Sequence, residues 1–257
     1  MKVLHNDGQV MEMNWEQSET KRAFWHTSAH ILAQAVKRLY PETKCAIGPA
    51  IEQGFYYDFE FSFPFAEEQL QEVENEMRKI VKESLSLQVY EMDREAAIAV
   101  MEEKKEPYKL ELIRDLPEEA RLCFYRQGDY VELCAGPHLT NTCQVKAIKL
   151  LNVAGAYWRG DEQNQMLTRI YGISFPKAAE LEEYLHRMEE ARRRDHRKLG
   201  KELGLFAMME EGPGFPFFLP KGLMLKNLLI DYWRKLHVRA GYQEIATPIM
   251  LSKSLWE

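Results

Sequence analysis

No apolar run in this sequence of 257 residues approaches the ~20 residues that a membrane-spanning helix needs, and its amino terminus lacks the apolar core of a secretory signal. Both absences point to a cytoplasmic location without membrane partners. Cysteine is sparse: Cys45, Cys123, Cys134 and Cys143 form no CxxC pair and no dense framework, so a disulfide scaffold is excluded and reduced thiols are expected. Excess positive charge is missing too. A net charge of −6 excludes a general polyanion binder, so any contact with nucleic acid must come from a local basic surface or a specific pocket. The glycines form neither a Walker loop nor a GxGxxG turn. With 46% hydrophobic residues the chain can still bury a normal core, as one large domain or two.

The richest chemistry lies in Gly128-Asp-Tyr-Val-Glu-Leu-Cys-Ala-Gly-Pro-His138. Tyr130, Val131 and Leu133 read as a strand that delivers Cys134 to its end, and Gly136-Pro137 breaks it so that His138 can return beside the sulfur. Upstream, His26-Thr-Ser-Ala-His30 lies on a predicted helix, where i, i+4 spacing puts both imidazoles on one face. If the two pairs meet, His26, His30, Cys134 and His138 form a His3Cys set suited to tetrahedral zinc or to acid/base work on an ordered water. The plainer reading of His26 and His30 is a half-exposed polar stripe, with Trp25, Ser28 and Ala29 leaving room for a pocket.

In chain order, residues 2 to 13 read as a hairpin turning at Asn6-Asp7-Gly8. A helix of five or six turns runs from Ser18 to Leu39 and stops before Pro41. Two strands are expected in Cys45 to Phe59, joined near Gly48-Pro49 and Glu52-Gln-Gly54, with Phe55, Tyr57 and Phe59 on one face and Tyr56 and Asp58 on the other. Ala66 to Ser84 has helical spacing at Leu70, Val73, Met77, Ile80 and Val81. Then come a strand at Leu87 to Met92, short helices near Glu95–Glu103 and Pro107–Asp115, strands at 121–126 and 129–134, and another at Val145 to Val153. Lys109, in the second short helix, reads on its own as surface charge. Ala154 to Asp161 reads as a tight packed loop, and Leu167 to Phe175 as a strand. One long charged helix is expected from Pro176 toward Leu203, carrying the dense basic run Arg192-Arg-Arg-Asp-His-Arg-Lys198; that run is either a solvated face or an RNA contact. Three breakers in Gly212-Pro-Gly-Phe-Pro mark a boundary. After it, Gly222 to Arg239 reads as an amphipathic helix and Tyr242 to Met250 as a strand. These roughly forty-five residues fall short of the usual ~50–200 of a domain and are expected to be the truncated start of one.

Several long words in this order resemble the threonyl-tRNA synthetases, from their editing domain into their catalytic domain. They are His26 to His30, Ile47-Gly-Pro-Ala-Ile-Glu-Gln-Gly-Phe-Tyr-Tyr-Asp58, Tyr130 to His138, Ala154-Gly-Ala-Tyr-Trp-Arg-Gly-Asp161 and Arg194-Asp-His-Arg-Lys-Leu-Gly-Lys201. The resemblance implies an α+β fold in which helices of the editing domain pack on antiparallel sheet, followed by a linker helix and the first helix-strand unit of a class II core. The matching division is a hairpin at 1–15, the editing domain at 16–175, the linker helix at 176–211 and the start of the class II domain at 212–257. That last piece includes motif 1, which in the family builds a homodimer interface. Motifs 2 and 3 are absent, so no ATP site and no aminoacylation are expected of this chain.

What the resemblance implies about function is hydrolysis of seryl-tRNA mischarged for threonine, at the 3′ acceptor end of the tRNA. A synthetic site built for threonine rejects serine weakly, because one methyl is worth only ~1–3 kcal/mol. By the same resemblance His26, His30, Lys109, Cys134 and His138 are catalytic, and Gly48, Tyr57 and Glu132 line the substrate pocket; the basic run adds Arg192, Arg193 and Arg194 as weak tRNA contacts. Glu132 stands where the family commonly has Asp. No cofactor is implied for editing, and zinc on the His3Cys set is the alternative. A noncatalytic tRNA-binding or dimerisation module is the second reading of function.

Overall fold

Turn chemistry at the amino terminus forms the expected hairpin in the computed structural model, which describes residues 1–250 together with Ser252 and Lys253. Strands β1 (Lys2–Leu4) and β2 (Val10–Glu12) pair antiparallel, with Gly8 at φ +81° in the turn. Helix α1 (Ser18–Leu39) follows, and every residue from Ala23 to Val36 except His26 is buried. An exposed polar stripe at His26 and His30 is therefore excluded. Trp25 and Ser28 do not open a pocket either: Trp25 Nε1 donates to the Ser174 carbonyl at 3.0 Å, and Ser28 Oγ meets Ser174 Oγ at 2.7 Å.

Of the two strands expected around Gly48, β3 (Lys44–Cys45) is short and β4 (Phe55–Glu60) is full, joined by a loop with a single bridge from Ala50 to Phe55. Alternation in β4 works as read: Phe55, Tyr57 and Phe59 enter the core, while Asp58 on the other face is held by Arg169 at 2.7 and 2.8 Å. Helix α2 (Leu70–Glu83) buries Leu70, Val73, Met77 and Ile80. Its buried Glu74 accepts the Leu150 N–H at 3.1 Å and faces Lys149, at 3.1 Å, and Arg78, at 2.5 Å.

Strand β5 (Leu87–Met92), helices α3 (Arg94–Glu103) and α4 (Pro107–Asp115), and strands β6 (Leu122–Gln127) and β7 (Tyr130–Leu133) form a second layer. Its sheet has the order β5-β6-β7, and Ala97, Met101 and Ile113 of the helices cluster with Leu122 and Phe124. Strand β8 (His138–Leu139) does not continue that sheet. It pairs with β1, Leu4 opposite His138, so the amino-terminal hairpin belongs to a three-stranded sheet β2-β1-β8 rather than standing apart.

Strand β9 (Ala147–Tyr157) corrects one expectation: Ala154 to Tyr157 is not loop but continues the strand in register with β10 (Met166–Phe175). A partner strand supplies the backbone hydrogen bonds that the glycine and small residues alone did not predict. Together they make the antiparallel sheet β3-β4-β10-β9 on which α1 packs.

The contacts divide the chain into two units, Met1–Leu185 and His186–Glu257. The single helix expected from Pro176 to Leu203 is two, α5 (Ala178–Arg193) and α6 (His196–Glu202). Asp195 makes the break, because its side chain accepts the Arg197 N–H at 2.8 Å and caps α6. Gly212 to Pro216 joins a small hairpin, β11 (Phe206–Met208) with β12 (Pro216–Phe218). Helix α7 (Pro220–Arg239) exposes Leu225, Leu228, Leu229, Tyr232, Trp233 and Leu236. The strand expected at Tyr242 to Met250 does not form, since no partner among the described residues offers it a ladder. No helix among the described residues is long and apolar enough to cross a membrane.

Gly222 is the one buried residue of α7, and a Cβ there would lie 1.8 Å from the Leu205 carbonyl oxygen. Gly222→Ala is expected to cost the carboxy-terminal unit about 1–3 kcal/mol or more, read as lost amide-exchange protection confined to that unit.

Candidate active site

Three elements bring the chemistry together. α1 supplies His26 and His30 one turn apart, the end of β7 supplies Cys134, and β8 supplies His138. Their ligand atoms lie within 4.8 Å of one another. Cys134 Sγ sits 3.1 Å from His26 Nε2 and 3.2 Å from His138 Nε2, and the His30 and His138 rings are 4.1 Å apart. The spacing of each pair was legible in the sequence; their meeting depends on β8 leaving the β5-β6-β7 sheet. Gly136 makes that turn possible with φ +53°, where a Cβ would strike Asn6 Oδ1 and the Tyr125 hydroxyl, each at 2.4 Å. Asn6 in turn donates to the Ala135 carbonyl at 2.7 Å and accepts from Tyr125 at 2.6 Å.

Burial keeps the cluster neutral. It lowers the pKa of His26 to about 4 and of His30 to about 3, in both cases against the opposing pull of Glu132. His138 is held well below its ordinary value by burial and by the two other histidines. The Cys134 thiol is pushed up to about 12 by burial, despite the Gly136 N–H that it accepts. A thiolate nucleophile is thus disfavoured near neutral pH, whereas the imidazoles are neutral there, each with one ring nitrogen free to accept a hydrogen bond. His30 Nδ1 is buried and meets no hydrogen-bond partner among the described residues, which leaves one polar atom of the cluster open to a bound molecule.

Beside the cluster lies a buried ion pair. Lys109, expected on its own to be surface charge, is only 5% exposed and pairs with Glu132, which is 3% exposed. Tyr57 donates to the two Glu132 oxygens at 3.0 and 2.9 Å, Tyr130 donates to Oε2, and Lys109 Nζ reaches the Tyr57 oxygen at 3.3 Å. Burial would lower the lysine pKa and raise the glutamate's. The attraction between them wins in both directions, keeping Lys109 above and Glu132 below their ordinary values. Glu132 is therefore spent on holding three partners. Gly48 lies under the Tyr57 ring, where a Cβ would be 2.1 Å from Cδ2.

The position of Lys109 is fixed by its helix. Glu106 accepts from Lys37 at 2.9 Å and from the Cys45 N–H at 2.8 Å; Tyr108 donates to Glu60; and Trp158 Nε1 donates to Glu111 at 3.1 Å. Trp158 also packs edge-on to Tyr108, so the Ala154–Asp161 word serves the site from behind. A cleft of about 420 Å³ runs along the far part of α1, lined in part by Gln34, Lys37, Lys109, Tyr130 and Glu132. Tyr130, Thr27 and Asn6 were given no part in the site from the sequence; only their contacts reveal it.

Arg192, Arg193 and Arg194 are exposed and lie in the other unit. Arg193 and Arg194 both pair with Glu190, at 2.9 and 3.0 Å, and Arg197 pairs with Asp195 at 2.8 Å.

Two outcomes follow from the buried charges. Glu132→Gln is expected to destabilise the first unit by about 3–5 kcal/mol in urea denaturation, because Lys109 keeps its charge without a carboxylate; adding Lys109→Met should recover part of that loss. Stability should also fall with acid. The unfolded histidines titrate near 6.5 and the folded ones lower, so the unfolded chain binds more protons between those values. The stabilisation is whole above pH ~6.5 and is lost as pH falls through 6.5 toward 4 and 3, by on the order of 2 kcal/mol per histidine at pH ~4.5. A His30→Gln variant should show a shallower pH slope.

A family described as the threonyl and alanyl tRNA synthetase second additional domain matches residues 122–171, which include Cys134 and His138. Over 256 residues the chain is 61% identical to a threonine–tRNA ligase of Clostridium novyi (strain NT), covering 100% of this chain and 40% of that protein. It is 59% identical over 254 residues to one from Caldanaerobacter subterraneus subsp. tengcongensis, covering 99% and 39%. To one from Acetivibrio thermocellus it is 58% identical over 253 residues, covering 98% and 40%. The chain thus spans about two fifths of the length of these relatives. Along almost its whole length the chain is therefore similar to one part of the threonine–tRNA ligases, and residues 122–171 match the second additional domain of threonyl and alanyl tRNA synthetases.

Proposed function

We propose that the chain is the editing part of a threonyl-tRNA synthetase and hydrolyses the ester of seryl-tRNA mischarged for threonine. The observation that carries this reading is the convergence of His26, His30, Cys134 and His138, within 4.8 Å, next to the Lys109–Glu132 pair. Ester hydrolysis needs a positioned water, a group to take its proton and a cation or donor for the developing oxyanion. His26 is half-buried and neutral, and the Pro137 backbone beside it, which has no N–H and can only accept, favours a proton on its ring. In this reading that proton sits on Nδ1, so the Nε2 that faces the sulfur is bare and is the base for the water. Lys109 supplies the positive charge. Tyr57, packed over Gly48, and Glu132 form a rigid wall that leaves room for the serine hydroxymethyl group and excludes one further methyl.

The same donor set fits zinc by type, and its atoms, within 4.8 Å of one another, would need to draw only slightly together for tetrahedral bonds of 2.0–2.3 Å, which put donors ~3.3–3.8 Å apart. His26, His30, Cys134 and His138 would hold the ion, and it would lower the pKa of a bound water. We favour the metal-free reading, in which the thiol keeps its proton. The tRNA is held at its 3′ acceptor end, with Arg192 to Arg194 as weak contacts given their pairing to Glu190, and the exposed apolar face of α7 is a site for homodimerisation.

Single-turnover release of labelled serine under saturating protein tests the reading. Serine should be released well above the uncatalysed rate, threonine should not, and EDTA should leave the rate unchanged. His26→Ala is expected to slow release about 10²–10⁴-fold with little change in binding, as loss of a general base does. Loss of release on EDTA, restored by zinc, would establish the metal reading instead. No release from folded protein would leave a noncatalytic tRNA-binding or dimerisation module.

A further inference from the structure

Thr27 lies between the two histidines of α1 and is fully buried. Its hydroxyl has one proton to give and two lone pairs to receive with. The Ala23 carbonyl, 2.8 Å from Thr27 Oγ1, can only accept, so the proton goes there. The Leu139 N–H donates to the same oxygen at 2.8 Å and fills one lone pair. The remaining lone pair faces His138 Nδ1 at 3.3 Å. That contact is satisfied only if the imidazole proton sits on Nδ1.

We propose that Thr27 is a positioning residue that fixes His138 in its Nδ1–H tautomer and so turns a bare Nε2 toward the Cys134 sulfur, 3.2 Å away. The consequence reaches the water. The S–H proton of Cys134 then has an acceptor in His138 Nε2 and need not occupy His26, whose Nε2 lies 3.1 Å on the other side of the sulfur. Were His138 protonated on Nε2 instead, its N–H would point at the sulfur. The thiol proton would turn to His26 and occupy the acceptor that the reaction needs. The order Ala23, Thr27, His138, Cys134 thus assigns the base role to His26 and a holding role to His138. This deepens the proposed hydrolysis and rests on it for the role of the base, whereas the tautomer stands on hydrogen-bond accounting alone.

The test reads tautomer and rate separately, on full-length chain labelled with ¹⁵N at histidine and kept in EDTA. Long-range proton–nitrogen spectra should show a protonated Nδ1 and a bare Nε2 for His138, assigned by its loss in His138→Gln. Thr27→Val removes the acceptor and should abolish that preference, slowing single-turnover serine release about 10–100-fold while tRNA binding holds. Thr27→Ser keeps the oxygen and should restore both, and it guards against Thr27→Val failing to fold. A proton on Nε2 of His138 in the parent overturns the proposal. So does a folded Thr27→Ser that does not keep the Nδ1–H form, or a folded Thr27→Val that keeps it. A parent with the expected tautomer but no serine release supports the tautomer assignment and defeats the deacylase reading alone.

Discussion

A buried ammonium is tolerated only opposite a carboxylate, and the pair Lys109–Glu132 is where this chain meets that constraint. Lys109 belongs to α4, Glu132 to β7 and Tyr57, which donates to Glu132, to β4. The ion pair ties α4 to β7 within the second layer, and the Tyr57 hydrogen bond to Glu132 joins that layer to the β3-β4-β10-β9 sheet. The contacts around α4, from Glu106 to Trp158, hold the lysine in place for it. Desolvation alone would neutralise both partners; their proximity, with the tyrosine hydroxyls, keeps them ionised.

That pair also sets the electrostatics of the cluster next to it. Glu132 pulls the His26 and His30 pKa values up and Lys109 pushes them down to a smaller extent, and burial outweighs both and decides the outcome. The result is a set of neutral imidazoles and an undissociated thiol. Such a set handles protons by hydrogen bonding, and its direction depends on which ring nitrogen holds each proton. The Ala23 carbonyl, acting through Thr27, provides that direction at His138.

The amino-terminal hairpin is part of the same construction. β1 takes up β8 and so holds His138 in register, and Asn6 in the hairpin turn braces Ala135 and Tyr125 on either side of Gly136. From the sequence it looked like a small separate element. Its role emerges because β8 is two residues long, too short to announce itself by periodicity, and becomes a strand only by pairing with a segment more than a hundred residues away.

The local words of the sequence determined much: α1, α2 and α7 follow from apolar spacing, β4 from its alternation, and the His26/His30 and Cys134/His138 pairs from their i, i+4 separation or turn. Each rests on interactions within a few residues, which the sequence carries in full. Where the sequence misled, a distant or competing partner was responsible. Lys109 is buried because Glu132 waits for it, Ala154 to Tyr157 is strand because β10 runs beside it, and Tyr242 to Met250 lacks a ladder among the described residues. The long helix breaks because the Asp195 side chain takes a backbone N–H. Only the tertiary structure joined the two histidine-bearing words into one site and gave Thr27 its place in it, because hydrogen bonds and desolvation act across space between residues that sequence spacing cannot relate.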